Sequence, residues 1–176
     1  IFWVGPDMET FLSSVLKGSN HEKSIAMIHS YGVSQRKEQG DGPQKHSSCH
    51  HHHGDCDPHI WLSPKNALAM ARVIKKKLRS VDTNKQNRAQ YKANLLIFQR
   101  SILEADEKNK KLLESVKQKP FFVFHDAYGH MQDHYGLNIA GHFTINPQQQ
   151  PGARHLENLR KKLKNAGPTS VFREPQ

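Results

Sequence analysis

Thr83–Lys119 reads TNKQNRAQYKANLLIFQRSILEADEKNKKLLESVKQK and contains neither glycine nor proline. Its apolar positions Tyr91, Leu95, Phe98, Ile102, Ala105, Leu112 and Val116 fall mainly at four- and three-residue steps, with polar Asn109 interrupting the row. That is the spacing of one helix face. A single helix of this length spans on the order of 50 Å at about 1.5 Å per residue, too long to sit on one small domain without overhanging it. A helical hairpin turning near Asp106–Asn109 would also fit the pattern. A strut between two lobes accounts better for the missing turn residues.

On the C-terminal side of this stretch the pattern changes. Phe121–Phe124 is a continuous apolar run of the kind found in buried parallel strands. His125 and Asp126 end it, and 127–135 reads as a helix. Leu137–Ala140 reads as a strand. Pro151-Gly152 opens a helix with Leu156, Leu159 and Leu163 on one face, stopped by Gly167-Pro168, and Val171-Phe172 is a further strand. Strands alternating with helices predict an α/β lobe with a parallel sheet.

The N-terminal side repeats the theme more weakly. Ile1–Val4 is β-like, Gly5-Pro6-Asp7 turns the chain, and 8–16 has the spacing Met8, Phe11, Leu12, Val15 of a helix. Ser24–Ile28 is another short apolar piece. Polar residues, glycines and histidines dominate 34–57, which is expected to be a mobile loop. Ser63 then suits a helix N-cap and Pro64 the first helical position. Ala67, Met70, Ala71, Ile74 and Leu78 supply the buried stripe. The expected fold class is α/β: two lobes of parallel-type sheet with flanking helices, joined by one long rigid α-helix. The lobes take 1–82 and 120–176, and the helix takes 83–119. The chain opens mid-strand on Ile1-Phe2-Trp3-Val4 and stops just after another strand, so both lobes are expected to be incomplete and the chain to be an internal fragment.

Composition narrows the function classes. Hydrophobic residues make up 35% of the 176 residues, and no apolar run approaches the roughly 18 residues of a membrane span. The net charge of +10 invites a nucleic-acid reading. However, Lys75–Arg79, Lys108–Lys111 and Lys161–Lys164 lie on the polar sides of helical patterns, without interleaved aromatic stacking platforms. A solvated helix face explains them, and no nucleic-acid partner is expected.

The residues that carry chemistry gather in Cys49–Pro64, CHHHHGDCDPHIWLSP. Neutral imidazole is the commonest protein ligand for borderline transition metals, so the run His50, His51, His52, His53 points to metal collection. Cys49 and Cys56 could form a small disulfide, ligate a metal, or do neither. Two histidines stand at the edges of regular elements: His59 before Trp61-Leu62 and the Ser63 cap, and His125 after Phe121–Phe124. Ligands bind at the carboxyl ends of strands in open α/β sheets. Each has a carboxylate close in sequence, Asp57 or Asp126, that could orient its ring. Two imidazoles make half of a tetrahedral site.

Four segments follow one another in order: Trp3-Val4-Gly5-Pro6-Asp7-Met8-Glu9, His59-Ile60-Trp61-Leu62-Ser63-Pro64, Phe122-Val123-Phe124-His125-Asp126-Ala127-Tyr128-Gly129 and Gly141-His142-Phe143-Thr144-Ile145-Asn146-Pro147. Together they closely resemble the solute-binding proteins of bacterial zinc-uptake ABC transporters, the ZnuA type. The resemblance implies a zinc ion (Zn2+) held between two lobes, with His59 the ligand from the first and His125 the ligand from the second. A glutamate is usual at the second position in manganese-binding relatives, so histidine there favours zinc. It also implies that the histidine loop overhangs the cleft and shares a second, weaker site with His142. His130, His134 and His155 lie on helical segments and are assigned surface or core roles. In the family a signal sequence, the first strands and a further histidine-bearing loop precede the counterpart of Ile1. A cysteine common before the final strand is Ser170 here.

The function implied is capture of zinc in the periplasm, as a monomer, and its delivery to the membrane permease and ATPase of an importer, with no catalysis. The competing reading is a zinc-dependent hydrolase using His125 and Asp126 as a metal-binding pair. No HExxH motif and no nucleophile beside a base supports it.

Overall fold

The computed structural model describes residues 1–16, 23–37, 56–144 and 151–174. The elements run β1 (Phe2–Trp3), α1 (Leu12–Val15), β2 (Ile25–Ala26), α2 (Pro64–Val81), α3 (Lys85–Leu113), β3 (Phe121–His125), α4 (Gly129–Tyr135), β4 (Ile139–Thr144), α5 (Ala153–Ala166) and β5 (Ser170–Phe172). Short 3₁₀ turns lie at Met27–His29 and Ile60–Leu62. All strand pairing within the two sheets is parallel. β1 pairs with β2, and a three-stranded sheet has the order β4-β3-β5.

The apolar run that marks β3 places it in the middle of its sheet, where Phe122 and Val123 are almost wholly removed from solvent. α5 packs on β4 because Gly141 has no side chain. A Cβ there would lie 3.1 Å from Leu159 Cδ1 and 3.2 Å from the Phe122 ring. A second apolar cluster forms around Met27, Ile28, Cys56 and Ile60, with Val4, Ile25, Val33, Met70, Val73 and Ile74 packed against it.

The helices begin where the side chains supply the first backbone donors with acceptors. Ser63 Oγ accepts from Asn66 N at 3.4 Å, with Pro64 opening α2. Asn84 Oδ1 accepts from the backbone N–H groups of Gln86 and Asn87 and starts α3. α3 runs unbroken through Asp106–Asn109 as 29 residues, about 43 Å at 1.5 Å per residue. Its first half lies against α2, with Tyr91, Leu95 and Phe98 facing Ala71, Ile74 and Leu78 across an apolar groove. Beyond that contact α3 is largely solvated, and Asp106 is its one buried residue.

Several boundaries differ from the sequence expectation. The helix expected over 8–16 is reduced to Leu12–Val15. Glu9 folds its carboxylate back onto the N–H groups of Val4 and Gly5, and the preceding residues follow this turn rather than a helix. The helix expected from Ala127 begins at Gly129, and the strand expected over 137–140 is β4 at Ile139–Thr144. The loop expected to be mobile over 34–57 is tied down at both described ends. Asn66 accepts from Ser34 N at 2.8 Å and donates to Ser34 O at 2.9 Å, Asp57 N donates to Arg36 O, and Lys37 bridges Cys56. Cys49 and His50–His53 lie outside the described residues, so the questions of a Cys49–Cys56 bond and of a histidine-loop site lie there too. Cys56 sits in the apolar cluster with Sγ 4.0 Å from Gln35 Oε1.

Candidate metal centre

His59 is set by its neighbours on both sides. Ile60 is fully buried in the N-terminal apolar cluster and anchors the 3₁₀ turn, while Trp61 faces outward with its ring 5.4 Å from that of His59. Just before it, the buried Asp57 carboxylate accepts from the His59 backbone N–H at 3.0 Å and lies 2.8 Å from Nδ1 through the same oxygen. The other carboxylate oxygen accepts from Arg36 Nη1 at 3.0 Å. Burial by itself would raise the Asp57 carboxyl. The bonds from His59 and Arg36 outweigh it and hold the group below the usual carboxylate range. An ionised Asp57 keeps the His59 proton on Nδ1 and leaves Nε2 with a lone pair available to a metal ion.

His125 ends β3, at the carboxyl edge of the sheet, and pairs in register with Thr144. Its Nδ1 contacts Glu174 Oε1. The sequence expectation assigned that role to the adjacent Asp126, but Asp126 instead places Oδ2 3.9 Å from His142 Nδ1. Glu174 follows β5, which lies parallel beside β3, so topology and not sequence proximity brings it to the end of β3. The rule that sites form at the carboxyl ends of neighbouring strands could have found it, had it been applied to β5.

The rings of His59 and His125 lie 5.4 Å apart, centroid to centroid, inclined at 61°. Their side chains are 14% and 17% exposed, enough for an ion to reach them. Each histidine therefore has Nδ1 occupied by a carboxylate and Nε2 left to act as ligand. Among the described residues, no group of three or more His, Cys, Asp or Glu side chains forms a complete metal cage.

His130, His134, His142 and His155 stand apart from the His59–His125 pair. His130 is buried, with Nε2 3.3 Å from the Asp57 carbonyl. His134 Nε2 lies 2.7 Å from Asp106 Oδ1. His142, in β4, stacks on His155 with centroids 5.3 Å apart and planes 20° apart, and His155 Nε2 donates to the His142 carbonyl at 2.9 Å. The sequence reading missed Arg36 because it fell inside a polar stretch with no periodicity.

The family model "Zinc-uptake complex component A periplasmic" (ZnuA) matches residues 1–176. "High-affinity zinc uptake system protein ZnuA" of Yersinia pestis is 37% identical over 191 residues, covering 100% of this chain and 59% of that protein. The protein of the same name from Brucella abortus (strain 2308) is 32% identical over 210 residues, covering 100% and 61%. Among solved structures, "Crystal structure of ZnuA" superposes with TM-score 0.73 at 27% identity, over 98% of this chain and 60% of the other. The Zn(II)-bound AdcAII E280Q variant of Streptococcus pneumoniae superposes with TM-score 0.76 at 26% identity, over 99% and 62%. The chain thus spans about three-fifths of the length of these relatives. On a match that runs from its first residue to its last, the chain belongs to the ZnuA family of zinc-uptake solute-binding components.

Proposed function

We propose that this protein captures zinc outside the cytoplasm and hands it to an ABC importer, with His59 and His125 as two of the ligands. The single observation that carries the proposal is the pairing of these two rings with both Nδ1 atoms held by carboxylates. A Zn–N bond of about 2.0–2.1 Å, added to the radius of an imidazole ring, puts each centroid about 3.2 Å from the ion. A tetrahedral angle then separates the two centroids by about 5.2 Å. The observed separation is 5.4 Å. Nitrogen donors suit zinc, and relatives of this chain are named for zinc uptake. In this reading zinc is cargo, held and released without the activated water that a catalytic site presents. His142 and the histidine tract are assigned to a second, weaker collecting site, and the protein is assigned a monomeric state in the periplasm.

Zinc titration of the full-length protein tests the reading. Tight one-to-one binding, lost in His59→Ala and in His125→Ala, is expected. Chelator-sensitive turnover of esters or phosphoesters would replace capture with hydrolysis.

A further inference from the structure

Arg36 touches both sides of the centre. Its Nη1 donates to Asp57 Oδ2 at 3.0 Å, on the His59 side. Its Nε donates to Asp133 Oδ2 at 3.0 Å, on α4, the helix that follows His125. The side chain is 11% exposed and lies directly over Gly129, where an added Cβ would fall 1.5 Å from Nη1. The backbone that carries Arg36 is itself fixed. The Asn66 side chain pairs with Ser34, the Gln35 amide donates to Ile28 O at 2.7 Å, and Arg36 O accepts from Asp57 N at 2.9 Å.

We propose that Arg36 is a positioning residue that couples the two histidines. Its planar fork holds Asp57, and through it His59, in register with the α4 segment that continues from His125, and Gly129 is the gap through which it reaches. The inference rests on the zinc reading above and extends it to a residue that touches no metal. Arginine is suited to the task because a rigid guanidinium presents separate N–H groups to two carboxylates at once, which a lysine ammonium on a flexible stem does not. The two arms differ in strength. Asp57 is fully buried, whereas the Asp133 side chain is 60% exposed and screened by solvent. The Asp57 arm therefore orients His59, and the Asp133 arm sets its position relative to α4.

The test is zinc affinity, measured by competition against a chromogenic chelator, alongside thermal melting, in the full-length protein. Arg36→Met is expected to weaken zinc binding about ten-fold, the lower end of what loss of a ligand-orienting partner costs. Asp133→Asn is expected to weaken it about three-fold. The double variant should be no weaker than Arg36→Met alone, because both changes break one linkage. Arg36→Lys should match Asp133→Asn. Gly129→Ala is the decisive variant. Alanine suits a helix at least as well as glycine, and the group it meets is the mobile end of a side chain. Displacing the guanidinium also takes a donor from the buried Asp57 carboxylate, so the melt should fall somewhat, and affinity measured well below the melt should fall toward that of Arg36→Met. Unchanged affinity in Arg36→Met and Gly129→Ala, or strictly additive losses in the double variant, would overturn the coupling. Loss of binding in His125→Ala with no effect at Arg36 would sink this inference alone. Failure of the unaltered protein to bind zinc would sink the functional reading beneath it.

Discussion

His134 Nε2 on α4 lies 2.7 Å from Asp106 Oδ1 on α3, and this pair is the buried polar fastening between the long helix and the segment that follows His125. Lys110 Nζ reaches the other oxygen of Asp106 at 2.9 Å, and Asn109, three residues on from Asp106, donates at 3.3 Å to the hydroxyl of Tyr135, the residue after His134. Asp106 is the one buried residue of α3, so this polar contact is where the far half of the helix meets α4, while its first half rests on the apolar face of α2.

Removing that carboxylate should loosen the helix. Burial would raise the Asp106 carboxyl, but the bonds from Lys110 and His134 prevail and hold it below its ordinary value. A carboxyl with a depressed folded pKa adds stability that is fully present above its unfolded value of about 3.9 and disappears as pH falls through the folded one. Chemical denaturation at neutral pH should show Asp106→Ala less stable by about 1–3 kcal/mol, the cost of leaving the buried His134 ring without its partner. The same titration below about pH 4 should show the difference shrinking. An equal deficit at pH 3 and pH 7 would mean that the ionised form of Asp106 contributes nothing.

His130, on α4, is the opposite kind of group. Burial, only partly countered by Asp57, lowers its pKa below the ordinary imidazole value. A histidine kept neutral by the fold binds its proton more readily when unfolded. Its contribution is therefore intact above about pH 6.5 and erodes as pH falls from there toward the lower folded value. Melting of the wild type should weaken between pH 6.5 and 5.5, and His130→Gln should flatten that limb while retaining a donor toward the Asp57 carbonyl. Identical slopes in the two proteins would remove His130 from the account.

The two carboxylates behind the histidines should matter in proportion to what they hold. Asp57→Asn and Glu174→Gln keep the size of each partner but remove the charge that fixes the ring tautomer, and each is expected to reduce zinc affinity about 10- to 100-fold. Asp126→Asn should change it far less, since Asp126 Oδ2 lies 3.9 Å from Nδ1 of His142. Loss of affinity in the order Asp126, then Glu174, measured by chelator competition, would restore the assignment made from adjacency in sequence.

Much of the fold was legible because periodicity and capping are local. Phe121–Phe124 announces a buried strand, and Ser63-Pro64 announces a helix start that the backbone then follows. His59 and His125 were readable as edge residues, but their meeting followed from the family resemblance and not from any local pattern, since 65 intervening residues and a long helix separate them in the chain. Glu174 was invisible for the same reason, since a parallel sheet sets strand ends from distant segments side by side. The expected helix over 8–16 failed where Glu9 offered the backbone a competing turn. Arg36 carried no pattern at all, and only the carboxylates it meets reveal its place.

Trp61 offers a direct view of the site being filled. Its ring is 5.4 Å from that of His59 and 42% exposed, so a cation arriving on the imidazole changes the electrostatic field at the indole. Tryptophan emission should therefore change on zinc addition, with saturation at one equivalent, and acidification should shift the midpoint to higher zinc because protons compete for the ligand nitrogens. Trp61→Phe should remove most of the optical change, leaving Trp3 as the remaining indole, while affinity by chelator competition stays within about two-fold, as expected for a partly exposed residue that donates no ligand atom. Deleting Gln44–His53 should leave this signal and its midpoint nearly intact, whereas His125→Ala should displace the midpoint by far more. If the deletion proves the more damaging of the two, the ion recorded by Trp61 is held chiefly by the histidine tract and not by the pair at the strand edge.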